Sequence, residues 1–221
     1  MEPRHERIAK AALAAGARYG LALAGGYAVQ AHGMGTRPSG DVDLFTSWQH
    51  RDEFPELITA VIAALESAGY TASVIQRAET FVRLMVTDPA DGVAEKVELS
   101  VDWRAHEPVQ LDIGPVLHAD DAIANKVCAL FGRALPRDFL DVDVAITSGR
   151  YTREQLLELA AGADYGFDPL LFADALGALT QITDAAFAEY RVPPGSITEM
   201  RRRFADWRQQ LLFGESKPKS S

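Results

Sequence analysis

Cysteine is almost missing from this chain, with one residue, Cys128, among 221, so no internal disulfide can form. Cys128 lies in Ile123-Ala-Asn-Lys-Val-Cys-Ala-Leu130, an apolar helical pattern, and reads as a small buried hydrophobe. Long hydrophobic runs are missing too, so no membrane association is expected. The opening residues, Met1-Glu-Pro-Arg-His-Glu-Arg7, are charged and lack the apolar core of a secretory signal, which points to the cytoplasm. Positive charge is scarce. Lysine and arginine number 22 against 31 aspartates and glutamates, a net charge of −9. A general nucleic-acid coat protein would be basic. A local basic surface that engages one RNA end remains compatible, with Arg201-Arg-Arg203 and Arg208, or Arg133 and Arg137, as candidates. The alternative for the arginine run is a solvated helix face. No internal repeat is present.

Against these absences stands one dense stretch, Leu23-Ala-Gly-Gly-Tyr-Ala-Val-Gln-Ala-His-Gly-Met-Gly-Thr-Arg-Pro-Ser-Gly-Asp-Val-Asp-Leu-Phe45. Tyr19 to Ala24 reads as a short buried strand. Gly25 and Gly26 let the backbone turn sharply and approach a ligand with no Cβ in the way. A helix starting at about Tyr27 would aim its free N–H groups at that ligand and favour an anion. Gly33 and Gly35 end the helix. A loop follows, and Asp41 to Phe45 resumes as a strand. Strand side chains alternate, so Asp41 and Asp43 share one face while Val42 and Leu44 face the core. Two carboxylates so close repel by roughly 3–4 kcal/mol at an effective dielectric near 20, and a divalent cation relieves that. Magnesium prefers oxygen ligands and keeps waters or phosphates in its shell. A glycine turn beside a paired acid therefore points to a nucleoside triphosphate held with magnesium or manganese.

The remaining pattern is an α/β half followed by a helical half. Helices are expected over 6–15 and 52–67, and strands over 71–76, 80–87 and 95–103, the last two joined as a hairpin by Asp88-Pro-Ala-Asp-Gly92. After about Pro115 helical patterns dominate, over 120–131, 136–147, 152–161, 169–180, 184–190 and 196–212. Thr152 with Gln155 spells a capping box. The boundaries expected are 1–115 for the α/β core, 116–214 for the helical part, and 215–221 for a polar, disordered tail.

Two-cation phosphoryl chemistry needs a third acid from a neighbouring strand. Glu98 and Asp102 both qualify, on one face of Lys96-Val-Glu-Leu-Ser-Val-Asp-Trp103. Glu98 is preferred because it lies further from the strand end. A solvent-facing polar stripe is the alternative. A second constellation lies in 125–141. Lys126 and Arg133, seven apart, share a helix face, and Asp138 and Asp141 are neighbours on the next helix. Lys126 could meet triphosphate oxygens while Asp141 orients it or Arg133; an ordinary interhelix salt-bridge cluster is the other reading. Asp141-Val-Asp143 repeats the Asp-x-Asp spacing in a helical pattern, where the side chains point to opposite sides, so it should not bind metal as a pair.

Taken together, Gly25-Gly26, Arg37-x-Ser39-x-Asp41-x-Asp43, and Lys126 through Arg137-Asp138-x-x-Asp141 resemble the AbiEii/AbiGii-type, MenT-like nucleotidyltransferases of the polymerase-β-like superfamily. The resemblance covers roughly residues 19–145, and the interval from the glycines to the acids is one residue longer than usual. It implies an α+β fold, with a small mixed sheet, flanking helices and a C-terminal helical bundle. It implies a toxin of a toxin–antitoxin system that transfers a nucleotide from a nucleoside triphosphate to the 3′ end of tRNA with magnesium. Carried over by residue, Gly25, Gly26, Arg37, Ser39, Lys126 and Arg133 hold the nucleotide. Asp41 and Asp43 bind metal with Glu98, or with Asp102 in its place, and Lys126 and Asp141 complete the catalytic set. Ser39 matches a serine that a kinase-like antitoxin phosphorylates in some relatives. A superfamily alternative is nucleotidylation of a small molecule such as an antibiotic, and a non-catalytic binding module is a third.

Overall fold

A computed structural model of the protein describes residues 1–214; the tail expected at 215–221 lies outside the described residues. The chain forms two compact units, Met1–Ala122 and Ile123–Ser221.

The first unit is built on a seven-stranded mixed sheet in the order β3-β4-β5-β2-β1-β7-β6. Its strands are β1 (Ala22–Leu23), β2 (Asp41–Ser47), β3 (Thr71–Arg77), β4 (Phe81–Thr87), β5 (Ala94–Asp102), β6 (Val109–Leu111) and β7 (Gly114–Val116). β2 runs parallel to β5 and β1 parallel to β7, while the other pairings are antiparallel. Strict alternation is visible in the burial. Val42 and Leu44 of β2, Val82, Leu84 and Val86 of β4, and Val97 and Leu99 of β5 are buried, and the residues between them are half-exposed or exposed. α1 (Pro3–Ala15) and α3 (Phe54–Ser67) pack against each other, with α1 also on β2 and α3 on β3. Their buried stripes, Ile8, Ala9, Ala12 and Leu13 in α1 and Leu57, Ile58, Val61 and Leu65 in α3, supply the apolar cover. α2 (Gly25–Ala31) links β1 to the loop that leads into β2.

Several local expectations shift. Only Ala22 and Leu23 of the expected strand over 19–24 pair in the sheet, because residues Ala17–Tyr19 close a 3₁₀ turn that ends at Gly20 in the left-handed region (φ +63). α2 starts at the glycines rather than at Tyr27. The helix expected from Asp52 begins at Phe54, and Trp48–Glu53 before it is 3₁₀. The β6–β7 hairpin was not expected. Its strands are three residues each, too short to show a period.

α4 (Ala119–Arg133) contains the boundary between the units. The second unit continues with α5 (Pro136–Thr147), α6 (Arg153–Ala163), α7 (Pro169–Gly177) and α8 (Pro194–Phe213). The helix expected over 169–180 finishes as a 3₁₀ turn after Gly177, and 184–190 is 3₁₀ rather than α-helical. Thr152 and Gln155 form the expected capping box. The core of this unit is aromatic: Phe139 meets Phe204 edge-on at 5.3 Å and Phe172 meets Trp207 at 5.2 Å, contacts that add to simple area burial.

Candidate active site

β2 and β5 are parallel neighbours, with Asp43 opposite Glu98 and Asp41 opposite Lys96. Because alternation sends Val42 and Val97 into the core, Asp41, Asp43 and Glu98 emerge on the other face together. One carboxylate oxygen from each lies within 4.8 Å of the others. At that spacing each pair of charges repels by roughly 3–4 kcal/mol at an effective dielectric near 20. Arg83 offsets part of this. It stands opposite Glu98 on β4, with its Nε and a terminal nitrogen 2.8 and 2.7 Å from Glu98 Oε1.

The twin glycines close the other side. Gly25 has φ +60, and a Cβ there would fall 1.7 Å from Asp43 Oδ2, so the Asp43 carboxylate occupies the space that any other residue would fill. A Cβ on Gly26 would sit 3.2 Å from Ser39 Oγ and 3.4 Å from an Arg37 terminal nitrogen. The Ala24 N–H donates to the Asp43 carbonyl at 2.8 Å, tying the turn to β2. The Ser39 hydroxyl donates to Asp41 Oδ1 at 3.2 Å. Gly25, Gly26, Arg37, Ser39, Asp41, Asp43 and Glu98 are thus brought to one place. Three convergent, partly exposed carboxylates beside a bare backbone turn suit a hard divalent cation that keeps some of its water or phosphate ligands.

Asp102 is not part of this group. It lies opposite Ser47, four residues beyond Glu98, which is roughly 13 Å along a strand, and its Oδ1 accepts from the Trp103 N–H at 2.9 Å. Between the two acids named as third member, the fold brings Glu98 to the pair.

In the second unit, Lys126 Nζ lies 2.9 Å from Asp141 Oδ2, and both residues are buried, at 8% and 3% exposure. Arg133 takes Asp138 instead, with Nε and a terminal nitrogen 2.9 and 2.8 Å from its two oxygens. Asp138 also accepts from the Leu135 N–H at 3.0 Å and so caps α5. Arg137 Nε is buried without a hydrogen-bond partner among the described residues. Asp143 turns away from Asp141 and holds Arg203 through two contacts of 2.8 Å. Within the arginine run, Arg201 grips the Leu179 and Ile182 carbonyls and Arg203 grips Asp143, so two of the three serve the packing of the helices.

Arg83 escaped the sequence reading, although the hairpin turn at 88–92 contains the signal: extending its pairing places position 83 opposite 98. A buried group behind the glycine turn escaped as well. His5 Nδ1 lies 2.6 Å from the Tyr27 hydroxyl and its Nε2 2.9 Å from Glu95 Oε2. Burial raises the Tyr27 hydroxyl above the usual tyrosine range, which keeps it a proton donor. Tyr27 and Glu95 stand 22 and 90 positions from His5, so the fold and not a local pattern joins them.

Residues 8–218 match the family described as nucleotidyl transferase AbiEii toxin, type IV toxin–antitoxin system. Among solved structures the fold is similar to MenT4, a nucleotidyltransferase toxin from Mycobacterium tuberculosis H37Rv, at TM-score 0.60 and 18% identity, covering 96% of this chain and 88% of that one. It is also similar to JHP933 from Helicobacter pylori, at TM-score 0.53 and 18% identity, covering 94% and 90%. No curated protein sequence matches the chain.

Proposed function

As a member of the AbiEii nucleotidyl transferase toxin family, this chain is a nucleotidyltransferase, and we propose that it transfers a nucleoside monophosphate from a nucleoside triphosphate to the 3′ end of tRNA with the help of magnesium. The observation that carries the reading is the meeting of Asp41, Asp43 and Glu98 within 4.8 Å of one another against a glycine turn with no room for a side chain. Those three acids would hold the cation, which when bound supplies charge neutralisation for the triphosphate and a lowered pKa for the attacking hydroxyl. Gly25 and Gly26 admit the phosphates to the backbone, and Arg37 and Ser39 flank them. Ser39 donates to Asp41 Oδ1 and would help to orient that carboxylate. The acceptor hydroxyl attacks the α-phosphorus in line, the bond to the β-phosphate oxygen breaks, and pyrophosphate leaves. Glu98 is the acid that would accept the hydroxyl proton. Lys126, oriented by Asp141, takes the triphosphate-binding role that the family resemblance assigns to it, with Arg133 as its helper.

The family belongs to a toxin–antitoxin system, so a cognate antitoxin is part of the reading. A kinase-like antitoxin that phosphorylates Ser39 would put about two negative charges at a position 3.2 Å from Asp41, and the triphosphate would be repelled. A nucleoside triphosphate and tRNA as substrates imply action in the cytoplasm; among the described residues, no single helix is long and apolar enough to cross a membrane.

The test is to incubate the purified protein with each of four α-labelled triphosphates, total tRNA and magnesium. Label should enter tRNA with one or more of them, and Asp41→Ala should lose it while remaining folded. Unlabelled tRNA with all four, or transfer by Asp41→Ala at the wild-type rate, overturns the proposal.

A further inference from the structure

The β6–β7 hairpin sets Val109 opposite Val116, so the chain entering it and the chain leaving it run side by side. That register brings two histidines together. His106, in the connection from β5, and His118, between β7 and α4, stack with ring centroids 4.3 Å apart and planes at 26°. Asp120 follows in the first turn of α4. One ring nitrogen of each histidine and one Asp120 oxygen lie within 4.8 Å of one another. His106 is exposed, while His118 and Asp120 are half-buried, so core packing does not account for the stack.

Both rings are held in place. Asp121, only 4% exposed, accepts the Ala105 and His106 N–H groups at 2.9 and 3.0 Å, and its Oδ1 lies 3.4 Å from His106 Nδ1. A carboxylate only accepts, so the His106 proton belongs on Nδ1 and the lone pair on Nε2. This is how an outer carboxylate orients a metal-binding imidazole. His118 Nδ1 accepts the Asp120 N–H at 3.2 Å and lies 3.6 Å from Asp120 Oδ2, so it carries a lone pair beside a carboxylate oxygen. Leu117, just before it, donates its N–H to the Leu23 carbonyl at 2.9 Å, and its own carbonyl accepts from His32 Nε2 at 2.7 Å. The start of α4 disfavours a cation, and Asp120 and Asp121 in its first turn offset that. Arg104, in the same connection as His106, donates to the Gly20 carbonyl at 3.1 Å.

We propose that His106, His118 and Asp120, oriented by Asp121, form a site for zinc or a chemically similar divalent transition metal, separate from the acids of β2 and β5. Two imidazoles and one carboxylate suit such an ion, whereas magnesium prefers an all-oxygen set. Zinc bonds of about 2.0–2.1 Å in a tetrahedron place the donor atoms roughly 3.3 Å apart, so the three atoms need to close by no more than about 1.5 Å. Water takes the fourth position. The bound ion ties the β5–β6 connection to the start of α4.

The test uses the whole chain, stripped with EDTA, dialysed, and titrated with zinc in excess magnesium. Calorimetry should show one equivalent of zinc taken up, by wild type and by an Asp41→Asn, Asp43→Asn double variant alike. Asp121→Asn should weaken that uptake about ten-fold or more, and His106→Ala or His118→Ala by more still. In NMR spectra of the wild type, the ring signals of His106 and His118 should shift with one equivalent of zinc, while those of His5 and His50 stay. The spectra need no variant, so they decide the question even where a substitution unsettles the fold. No uptake by wild type, uptake unchanged in both histidine variants, or uptake lost with Asp41 and Asp43 overturns the proposal. So do shifts at His5 instead, which would give the ion to the Glu2, His5 and Glu95 group. Neither readout involves transfer activity, so the two functional readings stand or fall separately.

Discussion

Asp43 is the residue where stability and chemistry pull hardest against each other. Its carboxylate is packed on Gly25 and lies within 4.8 Å of both Asp41 and Glu98. Asp43→Asn keeps the shape and removes one of three like charges, so in the presence of EDTA the unfolding free energy should rise, by on the order of 1 kcal/mol after solvent screening and the Arg83 contact are allowed for. Transfer should be lost in the same variant. A urea denaturation series beside the labelling assay checks both, and a less stable Asp43→Asn would mean that the acids do not strain one another. The pairing of Asp41 with Asp43 was legible in the sequence because alternation along a strand needs no tertiary information. The third acid was legible as a preference for Glu98 with Asp102 as the alternative. Choosing Glu98 over Asp102 requires the register of β5 on β2, and register is set by how far apart the strands enter the sheet, which residue types do not encode locally. Arg83 was hidden for the same reason. His5 was hidden more deeply, since its partners at 27 and 95 belong to a helix and a strand that only the assembled sheet brings to α1.

At the scale of single elements, α1 depends on Glu2. The carboxylate accepts the N–H groups of Arg4 and His5 at 2.9 Å each and so takes the place of a capping serine or aspartate. Burial opposes its ionisation, but those two hydrogen bonds outweigh the penalty, and the carboxyl sits below the ordinary glutamate range. A depressed folded pKa stabilises above the unfolded value and is lost as pH falls through the folded one. Glu2→Ala should therefore cost about 1 kcal/mol at neutral pH, and the gap from wild type should shrink as acid enters the window between the two values. Unfolding curves at pH 7 and at successively lower pH read this directly; a gap that widens in acid would contradict it. Elements with a full period, such as α3, β4, β5 and α5, were readable. α5 runs from Pro136 to Thr147 because proline opens it and the apolar positions repeat through it. β1, β6 and β7 are two or three residues long and have no period to read. The 3₁₀ turns at 178–181 and 184–190 read as α-helix in the sequence through residues 180 and 190, because apolar spacing does not distinguish the two helices over so few residues.

For the whole molecule, a net charge of −9 gives divalent cations a favourable field, and the proposed function places their specific uptake on the convergent acids of the first unit. Magnesium with a nucleoside triphosphate should raise the thermal midpoint, by the equivalent of about 2.7 kcal/mol at a hundredfold excess over Kd. A double variant at Asp41 and Asp43 should lose that response, and a variant that keeps it would direct the search for the cation elsewhere. The tripeptide Asp-Val-Asp is spelled twice in this chain, at 41 and at 141. Both central valines are fully enclosed. In one copy the flanking acids meet each other and a third acid; in the other they reach for separate lysine and arginine partners. A search by letters would score the two as equals. What tells them apart is pitch, since a two-residue repeat gathers what a 3.6-residue repeat scatters, and a substitution that altered the backbone's pitch at 41–43 would part the acids without changing either one.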